Sequence, residues 1–383
     1  MWWWLACVTD PPDPPIRPRP TPDPARGVVF VSLDTTRRDH LGAYGARPLL
    51  TPAIDAFAET ALVFEQARAA APWTKPAMAS VMTNLLPPDH GVTQWEHALS
   101  EDAWTLAESL QAEGIVTEAY VSHSAFDPDD NRFHQGFDAF ATTWKEQEIT
   151  GYPGDIETST HLTDRAVEAY ERLAADPGRF FLWVHYFDPH DEYLAHDGGR
   201  DFGDAPDRRY AGEIAWTDRH LGRLLDATAA DEDVAVVVFA DHGEEFGDHG
   251  GAGHAHTVFD ELVRVPLLIR APGVRPGRTR DAVGTVDLAP TVHELFAAPP
   301  PAAFPGVSVF DGPRPVFHET RRTADLRAVT EWPYKLVWDV AEGSTVLFDL
   351  SSDPEERRDR SGADPEARAR LGARLRAEYP DAP

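Results

Sequence analysis

Three short stretches of this chain are apolar at almost every position: Gly27–Leu33, residues 180–187 and Val234–Ala240. Runs of this length that are rich in β-branched and aromatic residues and show no polar alternation have the pattern of strands buried on both faces. Residues 115–122 read as a further strand, after a helix-like segment at 103–113. Apolar residues recur three and four apart over 162–175 and 211–229, which predicts amphipathic helices. Strands alternating with helices imply a mostly parallel sheet sandwiched between helices, an α/β fold. The last hundred residues have a different texture. After Pro299–Pro301 and Pro305 come short strand-like runs at 315–317, 327–330, 335–338 and 345–350, then an Ala/Arg/Glu-rich helix over 364–379. The expected organisation is a Pro-rich leading stretch at 1–25, a catalytic domain at 26–300 and a small α+β subdomain with an antiparallel sheet at 301–383.

Charge narrows the partners. With 64 acidic against 35 basic residues the formal charge is −29, which argues against wrapping a nucleic-acid backbone or adhering to anionic lipid. The single cysteine, Cys7, rules out an internal disulfide and any Cys-based zinc site. Leu5-Ala6-Cys7 resembles the end of a bacterial lipoprotein signal, although a basic start and most of the apolar stretch are missing. On that reading Cys7 is lipidated, residues 8–25 form a stiff tether, and the protein sits in the cell envelope or periplasm or outside the cell. Otherwise it is cytoplasmic.

Candidate chemistry gathers at the strand ends. In open parallel sheets ligands bind beyond the carboxyl ends of the strands. Here those ends carry Asp34, then Asp188 with His190, then Asp241 with His242. Carboxylates and imidazoles at adjacent strand tips can hold a divalent cation. Such an ion would polarise an ester and lower the pKa of a coordinated hydroxyl. Taken singly, each acid reads equally well as a helix cap. Thr74 precedes Pro76, which suits the first turn of a helix running through Thr83. Local sequence reads Thr74 as an N-cap, but a threonine at a helix N-terminus is also placed to meet an anion. Lys75 is well placed to meet an oxyanion, and Arg37 could pair with a carboxylate. His190 could serve as general acid or base. His254 and His256 alternate, so in an extended segment at most one faces the site.

In order along the chain, these segments resemble the sulfatase family of the alkaline phosphatase superfamily. The resemblance is carried by residues 33–45 (LDTTRRDHLGAYG), Thr51–Asp55, the Thr74 segment with Pro87–Val92 behind it, Asp188-Pro189-His190, Tyr210–Leu225 and Ala240–Glu244. Val265–Ile269, Val286–Thr291, Tyr334–Leu336 and Leu347–Glu355 extend it. It implies that Asp34, Asp241, His242 and the Thr74 oxygen are metal ligands. It also places Thr74 at the nucleophile position with Lys75 and His190 as catalytic partners. His254, His256 and Arg38 would then contact the substrate, a small-molecule, lipid or glycan ester. The cofactor implied is a divalent ion (Ca, Mg, Mn or Zn), one firmly held. A second would need ligands such as Asp188 with His254 or His256.

The departures bear on the substrate. Typical sulfatases carry Cys or Ser in a C/S-x-P-S-R motif and convert it to formylglycine. Here the five positions are Thr74-Lys75-Pro76-Ala77-Met78, and threonine cannot yield the same aldehyde. Thr35 stands where a second Asp is usual, and Asn84 where Gly is usual. Threonine nucleophiles occur in phosphoryl-transferring relatives, so the first expectation is a phosphoester hydrolase or phosphotransferase using Thr74. The alternatives are sulfuric ester hydrolysis without formylglycine, and a binding protein whose site has decayed.

Overall fold

The computed structural model describes residues 21–48, 50–146 and 156–382. Cys7 and most of the leading Pro-rich stretch lie outside these residues. The order begins slightly earlier than Arg26, because the Asp23 N–H donates to Pro272 (2.9 Å) and the Ala25 N–H to Leu295 (2.8 Å). Among the described residues no helix is long and apolar enough to cross a membrane.

Eight strands form the main sheet: β1 (Gly27–Leu33), β2 (Leu62–Arg68), β3 (Val116–Val121), β4 (Ala139–Thr142), β5 (Phe180–Tyr186), β6 (Val234–Ala240), β7 (Leu267–Arg270) and β8 (Gly277–Gly284). Their spatial order is β8-β2-β7-β6-β1-β5-β3-β4, and only β7 runs antiparallel to its neighbours. Side chains of successive residues leave a strand on opposite faces. Val28 and Phe30 of β1 accordingly enter one apolar layer, Val29, Val31 and Leu33 the other. The first layer is covered by α1 (Thr74–Thr83), α2 (Leu106–Ala112) and, further along the chain, Leu288–Leu295. The second is covered by α3 (Ser159–Ala175) and α4 (Pro206–Ala227). The helix expected over 103–113 begins late because Thr105 caps it, with Glu108 closing a reciprocal capping box.

A second sheet, fully antiparallel, contains β9 (Val316–Thr320), β10 (Leu326–Glu331), β11 (Tyr334–Asp339) and β12 (Ser344–Asp349). One face packs on the C-terminal helix Pro365–Glu378 through Leu336, Trp338, Leu371 and Leu375. The other packs on Val258, Leu262 and Val263 of the main body. The proline-rich segment between the two sheets is part of the body: Phe304, Val309 and Phe310 join the core of the large sheet. Where the two sheets meet, Arg68 pairs with Asp260 (2.8 Å), and Lys335 pairs with Asp260 (3.1 Å) and Glu356 (2.9 Å), all buried. The two cations hold the Asp260 carboxyl well below its usual range against the opposing effect of burial, whereas burial pushes Glu356 up to about 7.

Candidate active site

Strand register explains the first pair of acids. β1 lies between β5 and β6, with Leu33 level with both Tyr186 and Ala240. Asp34 and Asp241 each follow the last residue of their strand and so emerge side by side. The ladder continues past them, with Asp34 N–H donating to Tyr186 (2.9 Å) and Asp241 N–H to Leu33 (3.2 Å). Both carboxylates are fully buried.

Hydrogen bonding then fixes which oxygens remain. Asp241 Oδ1 accepts from the N–H groups of His242 (2.8 Å) and Thr35 (3.2 Å), and Oδ2 has no partner. Asp34 Oδ2 is 3.2 Å from His185 Nε2 and 3.6 Å from His123 Nε2, and Oδ1 has no partner. The tautomers follow from neighbours. His123 Nδ1 accepts from the Ala125 N–H (2.7 Å), so its proton is on Nε2, facing Asp34. Trp183 donates to Ser32 Oγ (2.9 Å), and the Ser32 hydroxyl donates to His185 Nδ1 (2.8 Å), which again leaves the imidazole proton on Nε2. For His242 the logic reverses. Its Nδ1–H donates to the Gly243 carbonyl (2.9 Å), so Nε2 presents a lone pair. That lone pair is 3.5 Å from Asp34 Oδ1, 3.6 Å from Asp241 Oδ2 and 3.2 Å from Thr74 Oγ1, whose hydroxyl donates to it.

Three electron-pair donors, one each from Asp34, Asp241 and His242, therefore converge within 4.8 Å of one another beside the Thr74 hydroxyl. Burial pushes both carboxyl pKa values well up, with Glu244 adding to it at Asp34 and Asp34 adding to it at Asp241. Burial and the surrounding imidazoles push the His242 pKa well down. Such a group costs several kcal/mol unless a cation compensates it, on the order of magnitude known for unpaired buried charges. The donor set of two carboxylate oxygens, one imidazole and one hydroxyl fits a divalent ion.

Above this floor lies a cavity of about 260 Å³ lined by Trp73, Thr74, Trp95, His123, His190, His254 and Arg322. Thr74 is the first residue of α1; the N-cap is Trp73, in extended conformation. The Thr74 hydroxyl is therefore turned to His242 and does not cap the helix. His254 Nδ1–H donates to buried Glu244 (3.0 Å), which also accepts from the Tyr193 hydroxyl (2.9 Å). Burial pulls the His254 pKa down, but the Glu244 carboxylate outweighs it and leaves it raised. His190 donates from Nδ1 to the Asp191 carbonyl (2.7 Å), and burial lowers its pKa.

Other residues named from the sequence lie elsewhere. Lys75 is buried behind the wall, its amine donating to the Trp95 carbonyl and to Asn131 (2.5 Å), and burial lowers its pKa to about 8. Arg38 lies over the Tyr44 ring (4.7 Å) and is not among the cavity residues. His256 turns to Glu245 (2.6 Å), because Ala255 at φ +73° breaks the segment between it and His254. Asp188 accepts from the backbone N–H groups of Thr158 (2.8 Å) and Ser159 (3.0 Å) at the start of α3, so it is a helix cap and offers nothing to a second ion. Arg37 pairs with Asp39 and Asp248 (2.8 Å each). Thr35 points away from the acids and donates to the Pro189 carbonyl (2.8 Å). Asn84 occupies the left-handed cap of α1 at φ 56°, a conformation asparagine tolerates better than other side chains. Ala77 and Met78 are core residues.

Sequence reasoning missed His123, His185 and Arg322. A signal existed for His185: it and Ser32 are polar residues in register within two otherwise apolar strands.

Comparison with known proteins places this arrangement. The sulfatase family model matches residues 26–298. The uncharacterized sulfatase YidJ of Escherichia coli (strain K12) is 23% identical over 407 residues, covering 86% of this chain and 81% of its own. An ulvan-active sulfatase of Formosa agariphila is 25% identical over 389 residues, covering 86% and 76%. The crystal structure of Ps i-CgsB superimposes with a TM-score of 0.79 at 20% identity over 94% of this chain and 93% of that one, which shows a shared fold. The chain belongs to the sulfatase family of ester-hydrolysing enzymes.

Proposed function

We propose that this protein hydrolyses sulfuric esters, with Thr74 as the attacking oxygen and a divalent cation held by Asp34, Asp241, His242 and Thr74. The observation that carries the reading is the convergence of donor atoms from Asp34, Asp241 and His242 next to the Thr74 hydroxyl. The curated relatives, among them a sulfatase active on the glycan ulvan, support sulfur over phosphorus and a small-molecule or glycan ester as substrate. A bound divalent ion would withdraw electron density from the ester and favour the alkoxide form of a coordinated hydroxyl.

The protein's own groups account for the remaining chemistry. Thr74 Oγ forms a bond to sulfur while the bond from sulfur to the alcohol oxygen breaks. With the His242 lone pair given to a cation, the Thr74 hydroxyl would turn into the cavity it shares with His190, whose Nε2 takes the proton and later returns it to the Thr74 oxygen; the departing alkoxide takes a proton from the His254 imidazolium, which Glu244 stabilises from behind and which is reprotonated by the attacking water. Water then attacks the sulfur of the sulfo-threonine, restoring the Thr74 hydroxyl and releasing hydrogen sulfate. The first turn of α1 presents its positive end to the anion throughout.

One observation favours a second reading. A threonine cannot use the aldehyde route to expel sulfate, and its alkoxide is equally suited to phosphorus. The discriminating assay uses nitrophenyl sulfate, phosphate monoester and phosphodiester with the protein loaded with Ca, Mg, Mn or Zn. Sulfate release lost in Thr74→Ala supports the proposal. A preference for either phosphoester assigns the chain to phosphorus, and sulfate release that survives Thr74→Ala removes Thr74 from the mechanism.

A further inference from the structure

Ser32 and His185 lie level with each other in β1 and β5, two strands whose other residues are almost all apolar. Both side chains are fully buried, and the proposed reaction uses neither. Burying a hydroxyl and an imidazole is costly unless both are hydrogen-bonded, and an apolar pair would fill the same space. Packing does not require them, and their hydrogen bonds lead to one place.

Trp183 Nε1–H donates to Ser32 Oγ (2.9 Å), the Ser32 hydroxyl to His185 Nδ1 (2.8 Å), and His185 Nε2–H to Asp34 Oδ2 (3.2 Å). Three rings fix the plane of the His185 imidazole, with centroids at 4.7 Å (Phe126), 6.2 Å (His123) and 6.3 Å (Trp183). His123 Nε2–H faces the same Asp34 oxygen at 3.6 Å, its own ring set against Phe187 at 4.3 Å. The consequence is felt at the other oxygen. With Oδ2 engaged by an imidazole N–H, Asp34 has only Oδ1 left for an ion. Asp241 reaches the same state by another route, because its Oδ1 accepts two backbone N–H groups and leaves Oδ2. Backbone amides are present whatever the sequence, whereas the confinement of Asp34 is a choice of side chain.

An ion here meets four donors, each through a single atom: Asp34 Oδ1, Asp241 Oδ2, His242 Nε2 and the Thr74 hydroxyl. Zinc is commonly held by about four such nitrogen and oxygen ligands. Calcium takes about six to eight oxygens, often both oxygens of one carboxylate, and imidazole suits zinc better.

We propose that His185, oriented by Ser32 and Trp183, is a positioning residue that confines Asp34 to one coordinating oxygen and so makes the site select zinc over calcium. The inference rests on the ion-site reading of Asp34, Asp241, His242 and Thr74, and adds the rule by which that site chooses its ion. His185 itself touches neither ion nor substrate.

The test is competition between the two metals. Full-length protein stripped by a chelator is equilibrated with calcium and zinc mixed in a series of ratios, freed of unbound ion, and analysed for both by mass spectrometry. Asp241→Ala, treated alike, reports ion bound elsewhere and is subtracted. Wild type should hold zinc in preference to calcium at equal concentrations. His185→Gln and His185→Asn carry the same amide, but only the longer side chain places an N–H where Nε2 lies. His185→Asn should shift the bound ratio toward calcium by about tenfold or more, the loss typical of a group behind a metal ligand, and His185→Gln by much less. The two variants differ by one methylene, so a difference between them reports reach to Asp34 and not damage to the core. Equal shifts in both, no shift in either, or a wild type that takes calcium ahead of zinc would each overturn the proposal. If His185→Asn does not fold, a crystal structure of zinc-loaded wild type decides. Asp34 bound through Oδ1 alone, with His185 still on Oδ2, upholds it, and both oxygens on the ion overturn it. A wild type that retains neither metal removes the ion-site reading itself, and the proposal with it.

Discussion

Asp34, Asp241 and His242 at the cavity floor are fully buried, and each of their polar atoms is either hydrogen-bonded or aimed at one common point. Trp95 and Arg322 are exposed, the guanidinium over the indole, and are carried by two loops, one between helices Pro87–His90 and α2 and the other between β9 and β10. The floor is set by strand register and neighbouring N–H groups, so it tolerates little change. The rim depends on how the second sheet seats against the first, and can vary without disturbing the floor. The contrast separates reaction from recognition: the floor specifies an anionic ester group and an ion, the rim specifies what the ester is attached to.

The largest effect should come from the floor. Asp241→Ala removes one of three converging donors, and kcat should fall about 10³-fold or more in a steady-state assay, comparable to losing a core catalytic group. A loss of tenfold or less would mean that the convergence serves only folding. The next largest effect separates the two regions. Lys335→Met leaves Asp260 and Glu356 buried with Arg68 as the one cation still paired with them, and should cost about 3 kcal/mol in urea unfolding. Because β9 carries the approach to Arg322, substrate selectivity should be lost at lower urea than metal binding; simultaneous loss would show one cooperative unit. A smaller effect is expected from Glu244→Gln, which weakens the support behind His254 and should reduce kcat about 10- to 100-fold while the ion stays bound.

The last effect is a pH dependence. Glu356 has a folded pKa raised to about 7 by burial, above its unfolded value. An acid of this kind costs stability as pH rises from the unfolded pKa to the folded one, at most about 1.4 kcal/mol per pH unit. Wild type should therefore lose stability relative to Glu356→Gln between pH 5 and pH 8, measured by urea unfolding at each pH. A constant difference would show that Lys335 keeps the carboxylate charged throughout.

Much of the floor was legible in the sequence because strands buried on both faces are continuous apolar runs, and their ends are then visible as the first polar residue. That rule places Asp34 and Asp241 together. It reads Asp188 in the same way, yet Asp188 caps α3, because its partners Thr158 and Ser159 lie some thirty residues earlier and no local pattern reports them. Strands β2, β4, β7 and β8 were not read as strands: charged and small residues interrupt the pattern of β2, β4 and β8, and β7 is only four residues long. His256 and His254 could not be separated until the left-handed turn at Ala255 was visible. The rim was not legible at all: Arg322 reaches Trp73 only through the docking of one sheet on another, a long-range contact with no sequence period. Thr74 pointed to phosphorus, whereas the relatives matched over most of the chain are sulfatases and support sulfur.

The central claim is that the floor holds a cation independently of the rim. Its most direct test is the divalent metal content of wild type, Asp241→Ala and Arg322→Ala, measured by mass spectrometry after equilibration with Ca, Mg, Mn and Zn and removal of free ion. The account predicts stoichiometric ion in wild type and Arg322→Ala, and none in Asp241→Ala. Wild type that retains no ion, or Asp241→Ala that retains as much as wild type, would contradict it.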